Sequence, residues 1–71
     1  MTTNEMILDY LRNVGPLTSA KAFEEIGTLK LTTRVSELRR DGYLILQRPI
    51  TKRNRYGKTI TFNEYSMGAA I

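Results

Sequence analysis

The spacing of apolar residues changes at Asp41-Gly42, and that change limits the folds open to this chain. Before it, apolar residues recur at helical intervals, most clearly Leu31, Val35 and Leu38 at i, i+4 and i+7. After it, Thr59-Ile60-Thr61-Phe62-Asn63-Glu64-Tyr65 alternates polar and apolar, as a half-buried strand does. A chain of 71 residues has room for one small domain, so helices and strands must share one core. The expectation is a single domain over 1–71, with an ordered core over about 4–66 and a loose tail over 67–71.

The helical part divides at its turn residues. Asn4 or Thr3 can cap a first helix beginning near Glu5, with Ile7, Leu8, Leu11 and Val14 on one face, and Gly15-Pro16 ends it. Leu17 is a short extended link. Thr18 or Ser19 caps a short second helix with Ala22, Phe23 and Ile26 inward and Glu24 and Glu25 in water, ended by Gly27. Thr28 can cap a third helix at once, leaving almost no linker, and Asp41-Gly42 closes it. Tyr43 to Arg48 reads as a strand paired with Thr59 to Tyr65, and Pro49 suits a strand end or edge. Lys52 to Lys58 is the hairpin loop. The expected core centres on Leu31, Val35, Leu38, Ile45 and Phe62, with Tyr10, Tyr43 and Tyr65 at its margins. The fold class is α+β: three helices, the second and third at helix-turn-helix spacing, then a two-stranded β-hairpin placed as a wing.

The chain has no cysteine and no histidine. That removes disulfides, the usual zinc ligand sets, thiol nucleophiles and histidine acid–base chemistry. Adjacent Glu24 and Glu25 do not face each other on a helix, and no Gly-rich phosphate loop occurs. No group of residues supplies a base, a nucleophile and a stabiliser together, so no enzyme, metal or cofactor is expected. No apolar run reaches the ~18 residues of a membrane span, and Met1 to Glu5 lacks the basic start of a signal peptide. A cytoplasmic location, in a bacterial host cytosol, is the expectation.

The net charge of +4 is unevenly placed. Residues 1–29 carry Arg12 and Lys21 against Glu5, Asp9, Glu24 and Glu25, while the remainder holds nine basic residues against Glu37, Asp41 and Glu64. A positive half suits a polyanion. With Leu31, Val35 and Leu38 inward, a step of about 100° per residue puts Lys30, Thr33, Glu37 and Arg40 on the far side of helix three, with Arg34 on one flank and Thr32, Ser36 and Arg39 on the other. Short Thr33 and Ser36 let the helix approach a major-groove floor, and Lys30 and Arg34 can reach guanine O6/N7 or phosphate. Thr28 and Thr32 lie at the helix start, where backbone N–H groups favour a phosphate. Glu37 can accept from cytosine N4, or pair with Arg34 or Arg40. An ordinary solvated helix face is the plainer alternative.

The loop holds Lys52, Arg53, Arg55 and Lys58 and no acid. Protection of an edge strand would account for charge there, but a mixed-sign loop would protect equally well. Contact with phosphate, or an arginine in a minor groove, accounts for the single sign. Tyr56 among these charges can pack on a sugar or the backbone.

Leu17-Thr18, Ala22, Gly27, Leu31, the run Arg34-Val35-Ser36-Glu37-Leu38-Arg39-Arg40-Asp41-Gly42-Tyr43 and the segment Asn54-Arg55-Tyr56-Gly57-Lys58 together resemble a family of short helix-turn-helix domains common in bacteriophages and prophages. The resemblance covers about residues 5–66 and departs at Thr28, where the family tends to carry a branched aliphatic, and at the more apolar Leu29. It implies a winged helix that binds double-stranded DNA, as a transcription regulator or an excisionase-like architectural factor. Association with itself, as a dimer or cooperative array, would raise the weak affinity of one module. The alternative it implies is a phage protein that inhibits a host nuclease, polymerase or CRISPR effector through the same basic surface.

Overall fold

The computed structural model describes residues 1–68. Helices α1 (Thr3–Asn13), α2 (Ser19–Glu25) and α3 (Leu31–Arg40) precede strands β1 (Ile45–Arg53) and β2 (Thr59–Met67). The strands pair antiparallel in one unbroken register from Ile45↔Met67 to Arg53↔Thr59. This is the α+β arrangement expected from the change in apolar period.

Local chemistry sets the helix ends. The cap of α1 is Thr2, one or two residues before the expected Thr3 or Asn4. Its Oγ1 accepts from Glu5 N (3.1 Å), and Glu5 Oε1 accepts from Thr2 N (2.8 Å), a reciprocal capping box. The Thr2 backbone N–H foremost, and then the Thr2 hydroxyl, hold the Glu5 carboxyl below its ordinary value. Thr18 caps α2 by accepting from Lys21 N (3.2 Å).

Helix α3 does not begin at Thr28. The N–H groups of Gly27 and Thr28 both return to Ala22 O, and Thr28 Oγ1 accepts from Lys30 N (3.1 Å). Thr28 therefore closes the turn, and Lys30 is the N-cap without a side-chain bond. At the other end Gly42 has φ +103°, a conformation side chains rarely adopt. Tyr43 N donates to Leu38 O and Gly42 N to Arg39 O, the paired bonds of a Schellman C-cap.

The core gathers Ile7, Leu8 and Leu11 of α1, Leu17, Ala22, the α3 stripe Leu31, Val35 and Leu38, then Ile45 and Tyr65. Tyr65 is core rather than margin. Leu17 and Tyr65 exchange backbone hydrogen bonds of 2.8 Å each way, so Leu17 pairs at the outer edge of β2.

Three residues expected on inward faces are elsewhere, the first being Val14, which is 67% exposed because it is the C-cap of α1, past the last helical turn. Phe23 is 55% exposed, because the seven-residue α2 buries a single line through Ala22 and Phe23 sits about 100° round from it. Phe62 is half-buried outside the core. Side chains alternate across a strand, so Phe62 and Tyr65, three residues apart, point to opposite faces, and the core lies on the Tyr65 side. Phe62, Ile50 and Ile60 instead line a groove of about 650 Å³ against Pro16, Ala20 and the start of α2.

The hairpin is longer than expected, although β1 begins at Ile45 rather than Tyr43, whose N–H is taken by the C-cap of α3. Lys52 and Arg53 lie in β1, and Met67 is the last residue of β2. Gly68 N donates to Leu44 O and Asn54 N to Lys58 O, so even-numbered β1 residues bond inward and odd-numbered ones present their N–H to the open edge. Pro49, with no N–H, occupies an odd position inside β1 at no cost in hydrogen bonds. Of the expected loose tail, residues 69–71 lie outside the described residues. No helix among those described is long and apolar enough to cross a membrane.

Candidate nucleic-acid interface

The outward side of α3 is narrower than its helical wheel implies. Thr32, Thr33, Ser36, Arg39 and Arg40 are exposed, whereas Arg34 and Glu37 are half-buried toward α1. Arg34 Nη1 donates to both Glu37 oxygens (3.0 and 3.3 Å), and Asn4 Nδ2 donates to Glu37 Oε1 (3.2 Å). Of the three partners open to Glu37, the fold therefore supplies Arg34. Arg34 Nε is buried without a hydrogen-bond partner.

The Arg34 bond, followed by that from Asn4, holds the Glu37 carboxyl below its ordinary value. A carboxylate depressed by folding adds stability above its unfolded pKa, about 4.3 for Glu, and loses it as pH falls through the lower folded value. Unfolding midpoints in Glu37→Gln are expected to fall less steeply than wild type below about pH 4.5. Parallel acid limbs in urea titrations would refute this role for the pair.

Arg39 has a role that sequence reasoning missed. Its Nε and Nη2 donate to Ile45 O (3.1 and 2.7 Å), Nη2 also donates to Gln47 Oε1 (3.2 Å), and the guanidinium lies over the Tyr65 ring at 5.9 Å. Ile45 is an odd residue, so its carbonyl faces the open edge of β1, and Arg39 satisfies it. The available signal is its position on the α3 flank, one turn before the strand. This clamp joins α3 to the hairpin face that carries Gln47, Pro49, Thr51 and Arg53 opposite Tyr65, Asn63, Thr61 and Thr59.

The wing tip is a built loop. Asn54 Oδ1 accepts from Tyr56 N (2.9 Å) and Lys58 N (3.0 Å), and Asn54 O accepts from Gly57 N (3.0 Å). Gly57 has the positive φ, +77°, that lets the chain turn back. Arg55 and Tyr56 are held at the end of the hairpin, with Tyr56 87% exposed.

The four wing cations do not form one cluster. Arg53 lies on the α3 side of the sheet, while Lys52 lies on the opposite side and lines the groove with Lys21 and Glu24. Arg48 is neutralised across the strands by Glu64 (Nη2–Oε1, 3.0 Å). Among the described residues, Lys30, Arg40, Lys52, Arg53, Arg55 and Lys58 have no acidic partner within 4 Å, and all are exposed.

A family model described as "Winged helix-turn-helix domain" matches residues 2–70. The chain belongs to the winged helix-turn-helix family. Comparison with curated proteins and with solved structures returned no match. Within this winged helix-turn-helix domain, α2, the Ile26–Lys30 turn and α3 are the helix-turn-helix unit, and the β1–β2 hairpin is the wing. Domains of this family are typically DNA-binding modules without catalytic activity. Thr28, offered by the sequence as part of the α3 start, sits in the turn and is half-buried, whereas Thr32, Thr33 and Arg40 stand on the outward side of α3.

Proposed function

We propose that this winged helix-turn-helix protein binds double-stranded DNA without catalysing a reaction. Helix α3 enters the major groove, and the wing contacts the backbone or minor groove through Arg53, Arg55 and Lys58, with Tyr56 against a sugar. Lys30 and Thr32 at the start of α3 take a phosphate, and Arg40 and Lys52 add charge. The observation that carries this reading is that, among the described residues, nine exposed cations have no acidic partner within 4 Å, and all but Arg12 and Lys21 lie at the start of α3, on α3 or on the wing.

The role is that of a phage-encoded transcription regulator or excisionase-like architectural factor acting in the bacterial cytosol. One module buries roughly 600–1,000 Å² of protein surface on DNA, so a lone copy binds weakly. A dimer, a cooperative array or repeated sites supply the remaining affinity.

The test is duplex binding measured across a salt series. With about five phosphates contacted, log affinity falls against log salt with a slope near −4 to −5. Absence of binding to any duplex, or binding indifferent to salt, rejects the proposal.

Leu29 favours a second reading. It is 82% exposed beside Lys30, and an isolated apolar side chain there serves a protein surface better than a phosphate. In that reading the protein inhibits a host nuclease, polymerase or CRISPR effector through the same basic surface. Capture of such an enzyme, together with no affinity for duplex DNA, would distinguish it.

A further inference from the structure

The guanidinium groups on α3 differ in what they have left to offer a base. Bidentate reading of guanine needs two free N–H donors aimed at O6 and N7. Arg34 points its Nη1 at both oxygens of Glu37, and its Nε is buried. Bringing it to a guanine would also bring the Glu37 carboxylate toward two acceptors of the same sign. Arg39 commits Nε and Nη2 to Ile45 O and Gln47 Oε1. Arg40 is free but is the last residue of the helix, whereas base contacts in this motif come from the N-terminal residues of the recognition helix.

The N-terminal half of α3 presents Thr32, Thr33 and Ser36. Ser36 Oγ donates to Thr32 O (3.1 Å), which leaves it only as an acceptor. Thr33 lies almost opposite the buried stripe of Leu31, Val35 and Leu38 and is fully on the outward side. A threonine carries a hydroxyl, which suits any base, and a methyl, which suits only the C5-methyl of thymine in the major groove. Lys30, one turn before it, is the long exposed side chain nearby, and its place at the helix start suits a phosphate rather than the groove floor.

We infer that α3 reads thymine methyls through Thr33, and that Arg34 and Arg39 serve the fold rather than guanine. The inference rests on the proposal that the protein binds duplex DNA. It makes A·T pairs the recognised class, with discrimination that is modest per position and comes from methyl burial.

The test uses the full chain and the tightest duplex enriched from a randomised pool. That duplex is compared with one in which deoxyuridine replaces thymidine, which removes the C5-methyl and leaves the hydrogen-bonding edge unchanged. A third version carries 7-deazaguanine, which removes N7. The uridine duplex is expected to bind about fourfold more weakly for each thymine contacted, the worth of one buried methyl group. The 7-deazaguanine duplex is expected to bind within a factor of two of the natural one. Thr33→Ser, which keeps the hydroxyl at an exposed position, should bring the thymine and uridine duplexes to equal affinity with an unchanged salt slope.

Equal affinity of wild type for thymine and uridine duplexes overturns the inference. So does a uridine penalty that persists in Thr33→Ser, a 7-deazaguanine penalty that vanishes in Arg34→Ala, or a pool that yields no preferred site. Each of these leaves duplex binding standing. Failure to bind any of the three duplexes rejects duplex binding itself.

Discussion

Replacing Lys52, Arg53, Arg55 and Lys58 together by glutamine is expected to weaken duplex binding by roughly 10³-fold at ~0.1 M salt. Each phosphate neutralised contributes about 0.9 to the salt slope, so each lost contact costs about eightfold at that concentration. The slope itself should fall by about three to four. All four residues are exposed, and none is in an ion pair among the described residues, so the substitutions leave the fold intact. The geometry divides the effect. Arg53 is on the α3 side of the wing and Arg55 is at its tip, whereas Lys52 is on the far face beside Lys21 and Glu24. Single substitutions of Arg53 or Arg55 should each move the slope by about one, and Lys52→Gln by less. An unchanged slope in the fourfold variant, read by fluorescence anisotropy at several salt concentrations, would show that the wing does not touch the backbone.

Leu38→Ala is expected to remove most of the folding stability. Leu38 is 2% exposed at the C-terminal end of the α3 stripe, and truncating a buried leucine costs about 2–5 kcal/mol. A chain of this length has roughly 4–10 kcal/mol in total. Urea denaturation followed by circular dichroism should show a midpoint displaced far to low urea, or no folded baseline. Phe62→Ala is the informative companion. Phenylalanine is the larger side chain, yet Phe62 is only partly buried, in the groove beside α2 and outside the core. Its truncation should cost less than half as much. A greater loss at Phe62 than at Leu38 would mean that the hairpin packs by its other face.

The helix faces and turns were legible because their signals are local. Leu31, Val35 and Leu38 define the buried side of α3 by spacing alone, Thr18 supplies a cap oxygen, and Gly42 and Gly57 stand where positive φ is needed. What was not legible depends on how elements meet. Ile60 and Phe62 alternate cleanly with threonines, but two residues later the pattern slips and Tyr65 takes the core face. With apolar residues on both faces, a two-stranded ribbon does not declare which one is covered. The helical wheel also placed Arg34 as a reader of bases. It holds no information about Asn4, which reaches Glu37 from 33 positions away and draws the Arg34–Glu37 pair toward α1.

The sequence by itself determined the element order, the α3 stripe, the wing and the concentration of positive charge in residues 30–58. These follow from residue period, turn chemistry and charge, which act over a few positions. The tertiary structure alone decided which charges remain available. Packing α3 against α1 and β1 brings Arg34 to Glu37 and Arg39 to the open carbonyl of Ile45. A cation held by an internal acceptor has few donors left for an external one. Lys30, Arg40 and the wing have no such acceptor within reach, and between Lys30 and Arg40 the outward surface of α3 is threonine and serine.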